Sequence, residues 1–396
     1  MADKNDYDNS QKESGTLGEL DPPEKDSASA ERKTKSERSP KKTVATLKKP
    51  VVNTINGSHE DADRPSGPVG LDVGTSHIVA AQNKRNYVHS VQDLNAFFTV
   101  PNAKFAKDIL SQKKIKFYED ASEYYIFGYS AQSFANMFNV NTRRPMKDGF
   151  LSPKEDVGLG VITAIVNSLV HEPKYPGEIL CFSIPGEPFG GSGSIVYHES
   201  VVKGFLEGLG YKAIPINEGM ATVLSELGDE DYTGVGISMG GGMCNVCLSY
   251  LSFPVVTFSI QMAGDYIDEM VGKTVGEPAA RIKAIKEEEL DLSANSSDRV
   301  SKALHIFYDE IVLKLLDSLR RVIISTDKIP KISTPVPIVL SGGTAMPKGC
   351  KDKFESMLNE LDMPIEFSEV RMADEPLNTT AKGALIMAMT EAEAEV

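Results

Sequence analysis

Two stretches of this chain open in the same way, and that repetition limits the folds available to it. "VGLDV" and "IVAAQ" (69–73 and 78–82) flank the turn "GTSH". From 232 to 250, "YTGVGISMGGGMCNVCLSY" again gives two short apolar strands, here joined through three successive glycines. Each hairpin leads into alternating helices and strands. After the first come a helix (157–170), a strand (178–185), a helix (195–210), a strand (212–216) and a helix (218–227). After the second come a strand (253–261), helices at 265–275, 280–290 and 298–325, a strand (335–343), a helix (350–362), a strand (365–370) and a closing helix (379–394). In the long helix Val300, Leu304, Phe307, Ile311, Leu315, Leu319 and Val322 recur every three or four residues, the spacing of one buried stripe. The pattern predicts a duplicated α/β architecture. Residues 84–150 are less regular, with a strand-like "YYIFGYSA" (124–131) and a loop "RRPMKDGF" (143–150).

Three glycines exceed what a hairpin turn requires, since one or two residues of positive φ suffice. Three glycine turns follow apolar strands: "DVGTSH" (72–77), "SMGGGMCN" (238–245) and "LSGGTAMPKG" (340–349). Successive backbone N–H groups in such turns form a concave anion site that a Cβ would obstruct. Their placement suggests two loops that clamp a phosphate chain and one that receives a base. None has the spacing of a P-loop or of a dinucleotide-binding turn.

Composition narrows the function further. A net charge of -14 argues against a nucleic-acid-binding body. No apolar run approaches the roughly 20 residues of a membrane span, and the first residues, "MADKNDYDNS", carry no apolar signal core. A soluble cytoplasmic protein is the expectation. "CNVC" (244–247) lacks a second ligand pair, and residues three apart on a strand face opposite sides, so packing is expected of it. Residues 1–67, rich in Ser, Lys, Glu, Asp and Pro, predict a disordered charged tail. Its basic run, "RKTKSERSPKKTVATLKKP" (32–50), reads as a solvated linker or as a docking arm for a partner.

The order of motifs resembles the actin superfamily, nearest its bacterial filament branch of MreB and MamK. "GLDVGTSHIV" (70–79) is similar to the first phosphate motif, and "RPMKDG" (144–149) to a loop typical of MreB. "INEGMATVLS" (216–225) and "EPLNTTAKGALIMA" (375–388) resemble the two connecting helices. "MAGDYIDEMV" (262–271) resembles the Gly-Gly-Asp-x-x-Asp segment, "ARIKAIKEEE" (280–289) the ribose-contacting helix, and "IVLSGGTAMPKG" (338–349) the adenosine motif. The resemblance implies an actin-like (ribonuclease H-like) duplicated α/β fold, with two lobes around a nucleotide cleft. Lobe I would be 68–215, with an insertion subdomain at about 84–150. Lobe II would be 216–375, with a helical subdomain at about 272–330, and 376–396 would return to lobe I.

The resemblance also implies ATP and Mg²⁺ as cofactors. Asp72 would hold Mg²⁺ through water, and Gly74, Thr75 and Ser76 would meet the β- and γ-phosphates. Gly240, Gly241 and Gly242 would form the second phosphate turn. Gly264 and Asp265 would open a helix near the nucleotide. Lys283, Lys286 and Glu287 would reach the ribose, and Gly342, Gly343 and Thr344 would line the adenine site. The water-activating residue is Glu218 or, on the preceding helix, Glu199 beside His198; the insertion "GEPFGGSGS" (186–194) leaves both open.

The second turn departs from the family pattern. Its usual leading carboxylate is Ser238, and the threonine position falls near Met243 and Cys244, followed by Asn245. Losing a positioned charge from phosphoryl transfer costs on the order of a hundredfold, so a weak ATPase, slow or inactive, is expected. Two functions compete: a nucleotide-dependent filament built of copies of the chain, and a non-filamentous adaptor of the FtsA or PilM kind whose tail recruits an unknown protein. A small-molecule kinase would need a general-base aspartate that has no place here. A chaperone is not expected, the sequence ending directly after the second connecting helix.

Overall fold

The computed structural model describes residues 52–53 and 64–394, less 86, 121, 139, 153, 154, 156, 192, 296, 297, 328 and 333. The expected tail, and with it the docking-arm reading of 32–50, therefore lies mostly outside the described residues. Val52–Asn53 is a two-residue strand, β1, where a disordered segment was expected. Its backbone finds partners on an open strand edge, pairing antiparallel with Phe117 and Tyr118.

From Val69 the chain runs β2 (Val69–Val73), β3 (His77–Lys84), β4 (Tyr87–Leu94), β5 (Phe97–Pro101), α1 (Lys104–Gln112), β6 (Phe117–Asp120), β7 (Glu123–Phe127) and α2 (Gly128–Phe138). Then come β8 (Met146–Lys147), β9 (Phe150–Leu151), α3 (Gly158–Leu169), β10 (Ile179–Ile184), α4 (Ile195–Gly208), β11 (Lys212–Asn217) and α5 (Glu218–Glu226). The second half is β12 (Gly234–Met239), β13 (Cys244–Tyr250), β14 (Phe253–Ile260), α6 (Gly264–Val275), α7 (Ala279–Glu288), α8 (Arg299–Ser325), β15 (Val336–Ser341), α9 (Cys350–Asn359), β16 (Phe367–Met372) and α10 (Thr379–Ala394).

The duplication is visible in the sheets. One has the order β11-β10-β2-β3-β4, the other β14-β13-β12-β15-β16. Both are an antiparallel three-stranded meander extended by two parallel strands. The innermost pairs are Val73↔Ile78 and Met239↔Cys244, so residues 74–77 and 240–243 turn the two hairpins. Burial on both faces explains the mostly apolar runs of β10 and β12, interrupted only by Ser183 and Ser238 near their ends. α10 lies on β2 at Gly70, and α5 lies on β12 at Gly236, each where a Cβ would come within 2.4 Å of helix backbone.

The predicted stripe of α8 packs as expected: Leu304, Ile311, Leu315 and Leu319 are buried in the second lobe's core, with Val300, Phe307 and Val322 packed at its margin. The N-terminus of α8 is capped by Asp298, which accepts from the N–H groups of Val300 and Ser301. The strand-like segment 124–131 divides instead, strand to Phe127 and helix from Gly128. Gly128 turns at φ 69°, and the Asp93 carboxylate accepts from Tyr129 N–H at 2.8 Å. Sequence reading also missed α1 in the same insertion, whose small sheet has the order β1-β6-β7-β5.

Candidate functional site

All three glycine turns converge on a cleft of about 520 Å³. Gly74, Thr75 and Ser76 reach it from the β2–β3 turn, Gly240, Gly241 and Gly242 from the β12–β13 turn, and Gly342, Gly343 and Thr344 from the end of β15. Asp72, Glu218, Gly264, Asp265, Lys283, Lys286 and Glu287 also line it. Glu199 does not; it sits on α4 beside His198, a buried imidazole with neither nitrogen hydrogen-bonded among the described residues and Phe150 packed edge-on. Of the two carboxylates proposed to act on water, the cleft holds Glu218.

The three successive glycines are there for approach rather than for backbone freedom, since none of Gly240, Gly241 and Gly242 has a positive φ. A Cβ on Gly241 would lie 2.2 Å from Ser76 Oγ, and one on Gly242 would lie 2.5 Å from Gly149 N and 2.6 Å from Thr75 Oγ1. The two lobes' turns thus meet face to face. The carbonyl of Gly240 accepts from Gly264 N–H at 3.2 Å and Thr344 Oγ at 2.6 Å, and that of Gly241 accepts from Asp265 N–H at 2.8 Å. The carbonyls being engaged with α6 and the third turn, the N–H groups remain for the cleft. Among the described residues those of Thr75, Ser76, Gly241 and Gly242 have no protein acceptor.

Sequence reading missed the residue that fixes the first turn. Asn95, fully buried, donates from its backbone N–H to Ser76 O and from Nδ2 to Gly74 O, both at 2.9 Å. A lone Asn after a strand carries no signal of this; only the fold brings it behind the turn.

The carboxylates form a second group. Ser183 Oγ donates to Asp72 at 2.7 Å while accepting from Val73 N–H at 3.1 Å. Burial pushes Asp72 up to about 6, with the Ser183 bond opposing. One oxygen of Glu218 accepts from Ser238 Oγ at 3.1 Å and from Asn245 Nδ2 at 2.8 Å. Burial pushes Glu218 up to about 8, and the charge of Asp72 adds to this. Ser238, in place of the usual carboxylate, and the following polar Asn245 are therefore the two donors that aim Glu218. Asn245 also accepts through Oδ1 from Gly186 N–H at 2.8 Å, tying the insertion to the same carboxylate.

The charged side chains of α7 divide their roles. Lys286 is buried, paired with Asp268 at 2.7 Å and donating to Gly264 O at 2.8 Å, so it locks α7 to α6 rather than lying free to reach a ligand. Lys283 is pushed down by burial and by nearby Arg144. His77 is pushed down to about 4 by burial, Lys283 and Arg144. Positive charge is crowded there, and an anion placed beside it would relieve the crowding. Among the described residues no group of three or more His, Cys, Asp or Glu could hold a metal by itself. The carboxyl of Asp72 is of the type that would suit a hydrated hard cation held through water. Cys244 and Cys247 are buried free thiols, one in the core of the second lobe and the other in the layer under α5 and α10. No described helix is long and apolar enough to cross a membrane.

Solved structures agree with this architecture. A MamK double helical filament is 18% identical, with a TM-score of 0.61 over 81% of this chain and 98% of that one. MreB 5 of Spiroplasma citri bound to AMPPNP is 15% identical, with a TM-score of 0.59 over 83% and 97%. The ADP-bound form of that MreB5 is also 15% identical, with a TM-score of 0.58 over 83% and 98%. At such identities the likeness is one of fold, and the fold is actin-like. No curated protein matches the chain. The family model for volactin matches residues 68–388. That span holds both meanders and every turn of the cleft, and the chain belongs to the volactin family.

Proposed function

We propose that this chain is a cytoplasmic actin-like protein that binds ATP and Mg²⁺ between lobes 68–215 and 216–375, with residues 376–396 packing back on the first, and that it assembles with copies of itself. The reading rests on one observation: two glycine turns, one from each lobe, meet with four backbone N–H groups that no described protein acceptor takes. Such groups suit phosphate oxygens. Asp72 would hold Mg²⁺ through water, and the ion would screen the charge of the triphosphate. Lys283, Glu287, Gly342, Gly343 and Thr344 are assigned to the nucleoside. Lys286 acts on it only indirectly, through Gly264 and Asp268.

Ser238 does not leave the site without a carboxylate, because Glu218 stands beside it. We assign Glu218 as the group that orients water and accepts its proton. Its raised pKa leaves it largely protonated near pH 7, so slow turnover is expected of it, with nucleotide binding left intact. Self-assembly is supported by the likeness to MamK, solved as a filament; binding is supported by the MreB5 structures, solved with AMPPNP and with ADP.

Calorimetry of the full chain with ATP and Mg²⁺ tests the reading. Heat of binding is expected from the parent and none from Gly241→Val, whose side chain fills the space between the turns; equal affinities would reject the phosphate nest. High-speed sedimentation with ATP, with ADP and without nucleotide tests assembly. Nucleotide-dependent pelleting is expected, whereas a soluble monomer in all three conditions would favour the adaptor.

A further inference from the structure

Met146 and Gly149 of the "RPMKDG" loop line the cleft, and Arg144 begins that loop. Its root is fixed. Arg143 exchanges backbone hydrogen bonds with Phe97 at 2.9 Å, stacks its guanidinium over the Phe97 ring at 4.7 Å, and pairs with Glu155. From this root Arg144 reaches into the other lobe, where its Nη1 lies 2.7 and 2.8 Å from the two oxygens of Asp265. Among the described residues this is the only ion pair that joins 68–184 to 234–372. Asp265 in turn donates its N–H to Gly241 O, so the pair is one residue removed from the second glycine turn. At its other end the loop meets the same turn, the Met243 side chain lying where a Cβ of Gly149 would fall.

We propose that Arg144 and Asp265 form a clasp across the cleft mouth, which holds the two glycine turns together and must open before a bound nucleotide leaves. The clasp rests on the nucleotide reading only for the identity of what leaves; the joining of the lobes does not depend on it. Both side chains are less than a third exposed, 28% and 29%, so the pair is shielded more than a surface ion pair. A charge-assisted bond of this kind acts on the rate of dissociation more than on the rate of association.

The test uses the full chain with Mg²⁺ and an N-methylanthraniloyl derivative of ATP, chased with unlabelled ATP. Arg144→Gln and Asp265→Asn should each speed release about tenfold, and the double variant should release no faster than either single. Exchanging the charges (Arg144→Asp with Asp265→Arg) should bring the rate back towards the parent's. An unchanged rate in Arg144→Gln, or single effects that multiply in the double variant, would overturn the clasp. Should the parent bind no derivative, the nucleotide reading fails, and the clasp is judged by a nucleotide-free measurement. Spin labels at Lys203→Cys and Leu313→Cys, a half-exposed and an exposed site in a protein whose own cysteines are buried, should report a longer and broader distance in Arg144→Gln than in the parent. Identical distributions would sink the proposal.

Discussion

At the scale of single residues the cleft is governed by two carboxyl groups whose proton affinities are raised. A carboxyl that holds its proton more tightly when folded favours the folded state while protonated and disfavours it once ionised. Stability should therefore fall as pH rises from about 4.5, the ordinary value for Glu218, to about 8. In EDTA the melting temperature should decline across this window, and Glu218→Gln should flatten the decline; a parallel decline in the variant would assign it elsewhere. Ser238→Asp sets a further carboxylate against Glu218, where Ser238 Oγ now donates at 3.1 Å. In EDTA this should cost about 2 kcal/mol by denaturant melts, and Mg²⁺ with ATP should recover much of the loss. No effect in EDTA would mean that the two groups do not share one enclosed space. Glycines and acidic residues were legible in the sequence because their types announce anion and cation chemistry. Asn95 and Ser183 were not, since Ser183 meets Asp72 from 111 positions away and only the folded sheet brings them together.

At the scale of elements, regular patterns were legible and local exceptions were not. The stripe of α8 and the two hairpins could be read because burial on a helix or a strand has a fixed period. The division at Gly128 depends on a positive φ and on a capping carboxylate 36 positions away, which no local window contains. The three glycines of the second turn could be read as a close approach, but not what approaches; half of the answer is the opposite lobe's own turn. Gly242→Ala therefore tests the element rather than the ligand. Its Cβ would press on Gly149 N and Thr75 Oγ1, and overpacking of this kind costs about 1–3 kcal/mol. The unfolding midpoint in urea should drop with the slope unchanged, while Gly240→Ala, whose nearest contact is 3.1 Å, should lose less. Equal losses would show that the turns do not bear on one another.

At the scale of the whole molecule, the duplicated sheets make two bodies whose relation is set at a few points. One is the insertion that follows β10. Glu187 O accepts from Ser259 N–H and Phe189 N–H donates to Ser259 O, both at 2.8 Å, while Phe189 packs edge-on to Phe258. Phe189→Ala should lower the melting temperature and weaken nucleotide binding together; a fall in stability with affinity intact would confine the insertion to support. Because main-chain groups make these bonds, exchanging side chains leaves them in place, and Ser259 is a fixed point at which one lobe rests on the other. A rotation of one lobe about such a fixed point would grow with distance from it, so the far rims would travel most while residues beside Ser259 would scarcely stir.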